Sequence, residues 1–128
     1  MAKRILIVED EADMIVIMKF TLEKNGFEVV TAYDGEEGLK KAREEKFDLI
    51  ILDVLMPKIF GDDMAAALRQ DINTMETPIL FLTNLPLPYL TGIPGKEELQ
   101  QDKQGNWYLN KSCKDEELLN AIRHFIPA

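Results

Sequence analysis

Five polar side chains fall directly at the ends of apolar runs: Glu9 and Asp10 after ILIV, Asp53 after LIIL, Thr83 after ILFL, and Lys111 after YLN. A short continuous apolar run reads as a strand buried on both faces, so each of these residues stands at the carboxyl end of a strand. In an open parallel sheet that end is where ligands bind, and the five side chains converge on one rim. Three carboxylates there repel one another. At about 4 Å and an effective dielectric near 20, each like-charged pair costs roughly 4 kcal/mol, which one lysine does not offset. Oxygen donors on short side chains suit a divalent cation, Mg²⁺ or Mn²⁺. A cation, a carboxylate, a hydroxyl and an ammonium together fit phosphoryl transfer. Asp53 would be the nucleophile, giving an acyl phosphate. Lys111 and the metal would neutralise the phosphoryl oxygens, and the Thr83 hydroxyl would donate to one of them. Taken alone, EDE at 9–11 reads first as an acidic solvent-facing loop, but that reading leaves Asp53, Thr83 and Lys111 unexplained.

The elements that must position these residues alternate along the chain. RILIV (4–8), FEVVTA (27–32), FDLIILDV (47–54), PILFL (78–82) and NWYLN (106–110) read as strands. Helices are expected over 11–25, stopped by Asn25-Gly26, from Asp34 to about Lys46, over 62–70 and over 115–126. Asp34 serves as N-cap, with Glu37 as its capping-box partner. Strands alternating with helices predict a doubly wound α/β domain: five parallel strands with helices on both faces. The fourth repeat is weak. Only 96–104, KEELQQDKQ, could supply its helix, and Leu99 is the sole apolar residue there, so that helix should be short, displaced or irregular.

Length and composition agree with one domain over 1–128. A net charge of −8 argues against direct nucleic-acid binding by this chain, although a partner domain could bind DNA. The apolar runs near the N-terminus are too short to span a membrane and are separated by acidic residues, which excludes a signal-peptide core. The single cysteine, Cys113, fits a reducing cytoplasm and has no nearby histidine in sequence to activate it.

ILIVEDE, LIILDVLMPKIFG, ILFLTN and YLNK together resemble the receiver domain of bacterial two-component response regulators, and the resemblance spans the chain. It implies a CheY-like, flavodoxin-like sheet of order 2-1-3-4-5. It also implies that a histidine kinase or histidine phosphotransfer protein donates a phosphoryl group to Asp53, as in a phosphorelay. Glu9 and Asp10 match the acidic pair that holds Mg²⁺, Asp53 completes it, and the Leu55 carbonyl matches the backbone metal ligand. Thr83 matches the switch hydroxyl, Tyr108 the switch aromatic and Lys111 the phosphate-contacting lysine. Such a domain is not a conventional enzyme; at most it phosphorylates itself from small donors and dephosphorylates itself. The chain ends two residues after the last expected helix, so output is expected through contact with an unidentified downstream protein unless the chain is a piece of a longer regulator. The alternative is a degenerate receiver that docks proteins without phosphorylation. Two other strand-end chemistries fit less well. A flavodoxin would need a phosphate cradle where EDE stands, and a haloacid-dehalogenase-type phosphatase would need a second acid where Leu55 stands.

The sequence departs from that family in three places. Ser112 follows Lys111 where the family has a cis proline, so a trans bond is expected. Asn84 replaces a small residue beside the site. The segment from Thr83 to Tyr108 is longer than usual and begins TNLPLPYLTGIPG, with prolines at 86, 88 and 94 that exclude a regular helix. The first helix is apolar on more than one face. Met14, Ile17, Met18 and Leu22 form the expected core stripe, which leaves Ile15 and Val16, with Phe20, as an expected docking patch near Asp10. His124 is expected to lie among core residues of the last helix, and Trp107 to point away from Tyr108.

Overall fold

The computed structural model describes residues 2–54, 56, 59, 61–84, 99–102 and 105–127. Strands β1 (Arg4–Val8), β2 (Glu28–Ala32), β3 (Leu49–Asp53), β4 (Ile79–Thr83), β5 (Gln100–Gln101) and β6 (Trp107–Asn110) form one sheet of order β2-β1-β3-β4-β6-β5. The helices among the described residues are α1 (Ala12–Lys24), α2 (Gly35–Glu44), α3 (Gly61–Gln70) and α4 (Asp115–Phe125). The five strands β2, β1, β3, β4 and β6 pair in parallel in the expected order.

The expected five-stranded count needs a correction. β5 is a sixth strand, antiparallel to β6, with Gln100 opposite Tyr108 and Gln101 opposite Trp107. It occupies part of the segment that was to furnish a helix. A segment with one apolar residue has no stripe to bury as a helix, but a two-residue edge strand needs only backbone partners. The prolines of the Thr83-to-Tyr108 segment lie outside the described residues, as does any contact of that loop with Trp107.

Alternation along the strands builds two cores. Ile5, Ile7, Leu49, Ile51, Leu80, Leu82 and Leu109 face α1 and α4. Leu6, Val8, Ile50, Leu52, Phe81 and Tyr108 face α2 and α3, where Met64 and Leu68 pack. β1, β3 and β4 are thus buried on both sides, which explains their unbroken apolar sequence. The helix ends follow local chemistry. The Asp34 carboxylate accepts the Glu37 N–H at 2.8 Å, and Gly26 takes φ +91°, a conformation that costs glycine nothing, just past α1.

α1 turns a different face inward from the one expected. Ile15, Met18, Thr21 and Leu22 are buried, whereas Ile17 is 58% exposed beside Val16 and Phe20. Ile15 is therefore a core residue and not a docking residue. The stripe 15-18-22 satisfies helical spacing as well as the expected one does, and packing on the sheet selects it. His124 is also corrected. It is exposed, with its ring 4.6 Å from that of Trp107, on the face opposite Tyr108.

Candidate functional site

Glu9, Asp53, Thr83 and Lys111 reach the rim through backbone constraints. The Glu9 N–H donates to the Ala32 carbonyl at 3.0 Å, so β1's pairing with β2 continues to the first acidic residue. Asp53 ends β3 in register with Leu82. The Lys111 N–H donates to the Thr83 carbonyl at 2.9 Å, which fixes the lysine to the end of β4. After Lys111 the Asn110 carboxamide oxygen accepts the Ser112 N–H at 2.8 Å and its hydroxyl at 2.6 Å. A side-chain hydrogen bond thus closes the turn where a proline ring was absent, and no described peptide bond is cis.

Gly61 opens α3 directly against β3. Its N–H donates to the Val54 carbonyl at 3.0 Å, and a Cβ there would overlap the Asp53 carbonyl oxygen. The absent side chain lets the helix start beside the strand end that carries Asp53.

The rim is organised around one ammonium. Lys111 Nζ donates to Glu9 Oε1 at 2.8 Å, to Asp53 Oδ2 at 2.9 Å and to Glu11 Oε1 at 3.0 Å. Glu9, Asp53, Thr83 and Lys111 are all buried, whereas Asp10 and Glu11 are exposed. Glu11 was not among the expected site residues, although its place in EDE marks it as the third acid of the loop. Burial pushes the Glu9 carboxyl up, the Lys111 hydrogen bond draws it down, and the Asp53 charge raises it again. The outcome is about 7. Burial works against the Lys111 ammonium, but its hydrogen bonds to Glu9, Asp53 and Glu11 outweigh that and hold it above the ordinary lysine value. Burial pushes the Cys113 thiol up to about 11, with Glu117 and Asp115 adding to the effect, so it is a poor nucleophile at neutral pH.

Glu9, Asp10, Glu11 and Asp53 bring carboxylate oxygens within 4.8 Å of one another. Four carboxylates beside one ammonium leave an excess of negative charge, and all the donors are hard oxygens. This set fits Mg²⁺ or Mn²⁺ and not a softer metal. Leu55, the expected backbone ligand, lies outside the described residues.

Tyr108 is separate from the acidic cluster but lies on the same side of the sheet as Thr83. Its ring stacks on Phe81 at 5.1 Å and 18°, and Phe81 precedes Thr83 by two positions on β4. Its hydroxyl donates to Asp102 Oδ2 at 3.0 Å. Asp102 was not singled out from the sequence. The signal available was the turn composition of DKQGN.

Comparison with known proteins agrees with this geometry. The model of the response regulator receiver domain matches residues 5–123. The transcriptional regulatory protein CpxR of Escherichia coli (strain K12) is 38% identical over 122 residues, which cover 94% of this chain and 47% of CpxR. The chain thus spans about half the length of that relative. Among solved structures, the chemotaxis protein CheY4 of Vibrio cholerae superposes with a TM-score of 0.82 at 31% identity, covering 98% of this chain and 99% of CheY4. The response regulator TrrA of Thermotoga maritima, in complex with Mg²⁺ and BeF, gives 0.78 at 31% identity, covering 96% and 98%. With the receiver-domain model matched over residues 5–123 and CpxR 38% identical over 94% of the chain, this protein belongs to the response regulator receiver domain family.

Proposed function

We propose that the domain is a phosphoacceptor that takes its phosphoryl group onto Asp53 from a phosphohistidine of a kinase or phosphotransfer protein. The observation that carries this reading is the Asp53 carboxylate at a strand end, 2.9 Å from a buried lysine and grouped with three further carboxylates. An Asp53 carboxylate oxygen attacks phosphorus in line. The new O–P bond forms as the P–N bond to the donor histidine breaks, and the departing imidazole nitrogen takes a proton. Lys111 exchanges a carboxylate partner for a phosphoryl oxygen, and the Thr83 side chain reaches another from the end of β4. Glu9, Asp10 and Asp53 would hold Mg²⁺, which supplies charge neutralisation for the phosphoryl oxygens; the Leu55 carbonyl is a further ligand by resemblance to the family.

Val16, together with Ile17 and Phe20, offers the donor protein an apolar contact on α1, the helix that follows Asp10 and Glu11. Signalling follows as a shift between two conformations involving Thr83 and Tyr108. The chain's net charge of −8 opposes contact with nucleic-acid phosphates, so a transcriptional role such as the one in CpxR's name would draw its nucleic-acid contacts from other residues. No described helix is long and apolar enough to cross a membrane, and a cytoplasmic setting fits the lone unpaired cysteine.

Incubation with Mg²⁺ and acetyl phosphate, followed by intact mass, tests the reading. One phosphate adduct is expected, and it should vanish in Asp53→Asn and on chelation. Absence of any adduct with acetyl phosphate and phosphoramidate, in protein that still binds Mg²⁺, would replace it with the phosphorylation-independent docking module.

A further inference from the structure

Asp102 ties three features together. Its backbone N–H donates to the Asn106 carbonyl at 2.9 Å, and its carbonyl accepts the Gly105 N–H at 3.2 Å. Its Oδ1 accepts the Asn106 N–H at 2.9 Å, and its Oδ2 accepts the Asn106 side-chain amide at 3.3 Å. Gly105 takes φ +89°, which lets the chain turn back from β5 into β6. The carboxylate that closes this turn also receives the Tyr108 hydroxyl at 3.0 Å. Tyr108 is 8% exposed, with its ring flat on Phe81. A phenol buried this far needs an acceptor, and the hairpin provides a charged one.

We propose that Asp102 is the positioning residue of the switch, holding Tyr108 inward only while the β5–β6 turn is closed. It touches neither the phosphoryl group nor the metal, and it acts through the aromatic ring. Two conformers of the ring differ by whether this hydrogen bond exists, so the bond biases their populations. Phe81 under the ring and Thr83 belong to the same face of β4, so a conformer change at Tyr108 reaches the end of that strand. Burial, the Asp102 hydrogen bond and charge, and the Asp62 charge from α3 outweigh an opposing hydrogen bond from Asn106 and push the Tyr108 phenol up to about 12, in keeping with a held ring.

The inference rests on the phosphoacceptor reading for its link to Asp53, so the test has two readouts. In ring-labelled protein, NMR follows the Tyr108 phenol and the Asn106 amide without phosphate analogue. Binding of Mg²⁺ plus beryllofluoride is measured separately. Asp102→Ala is expected to bring the Tyr108 titration down toward that of an ordinary tyrosine and to speed Asn106 amide exchange. Asp102→Asn, which keeps an acceptor, should restore most of the held ring. Because the inward conformer is then less populated, beryllofluoride affinity should weaken roughly threefold to tenfold in Asp102→Ala. Tyr108→Phe, which keeps the ring and loses the hydroxyl, should weaken it similarly and add nothing when combined with Asp102→Ala. A Tyr108 phenol that titrates unchanged in Asp102→Ala overturns the holding role. A released ring with unchanged or tighter beryllofluoride binding overturns the link to the switch. Failure of the unsubstituted protein to bind beryllofluoride would instead reject the phosphoacceptor reading and the link with it, while the ring measurement still decides the holding role.

Discussion

Glu9 and Lys111 form a 2.8 Å ion pair whose side chains are 2% and 3% exposed, although 102 positions separate them in the chain. The pair joins the end of β1 to the turn after β6 and places the ammonium between two buried acids. A buried pair of this kind is costly to break because the surviving charge is left without a partner.

Lys111→Met therefore exposes the repulsion that the lysine relieves. Without divalent cation, urea unfolding should show a loss of about 3–5 kcal/mol. Mg²⁺ should recover part of that loss, because it neutralises the same carboxylates. A deficit identical with and without Mg²⁺ would place the cation elsewhere.

The Glu9 carboxyl, raised to about 7 from 4.5, gives a pH signature. Folded protein holds this proton more tightly than unfolded protein, so the contribution is fully present below about 4.5 and is lost as pH rises toward about 7. Mg²⁺ needs the same carboxylate ionised. Its affinity should rise with pH up to about neutrality and then level off, weakening by up to roughly tenfold for each unit below. Titrations followed by Trp107 fluorescence measure this, and Glu9→Gln should flatten the dependence. A steep slope surviving in Glu9→Gln would assign the titration to another group.

Gly61→Ala should disturb the site from outside it. The added methyl overlaps the Asp53 carbonyl and crowds the Val54 Cα, both of them backbone. A loss of about 1–3 kcal/mol in unfolding free energy is expected, with a lower rate of acetyl phosphate labelling at Asp53. Labelling at the unsubstituted rate would mean that the strand end shifts without consequence.

The two faces of α1 should separate cleanly under truncation. Ile15→Ala removes a side chain that is 3% exposed and should cost about 2–4 kcal/mol. Ile17→Ala and Phe20→Ala remove side chains that are 58% and 69% exposed, and each should stay within about 0.5 kcal/mol. Denaturation midpoints of the three variants decide the matter, and equal losses would contradict the burial pattern.

The sequence made the site more legible than its surroundings. Asp53, Thr83 and Lys111 follow short apolar runs that read as strands in a strand–helix alternation, so the topology carries them to one rim. Where several arrangements satisfy the same pattern, packing decides between them. α1 has apolar residues at 14 through 18, 20 and 22, and more than one stripe fits a helix; burial in the core shared with β1, β2 and β3 chooses 15-18-22. His124 looked like a core residue because Phe125 and Ile126 follow it, yet its own position on the helix faces outward against Trp107. β5 escaped notice because two glutamines carry no strand signal, and their pairing comes from the Asp102–Asn106 turn instead.

The antiparallel β5 also bears on self-association. A sheet edge with a long row of open backbone groups invites another chain to add a strand. At the β6 side the strand beyond is two residues long, too short to template much pairing. The opposite edge, β2, runs five residues and ends next to Tyr33, which is 52% exposed. Edge-to-edge polymerisation of partly destabilised protein should therefore begin at β2, and a lysine or proline placed on that strand's outward side is the substitution suited to suppress it.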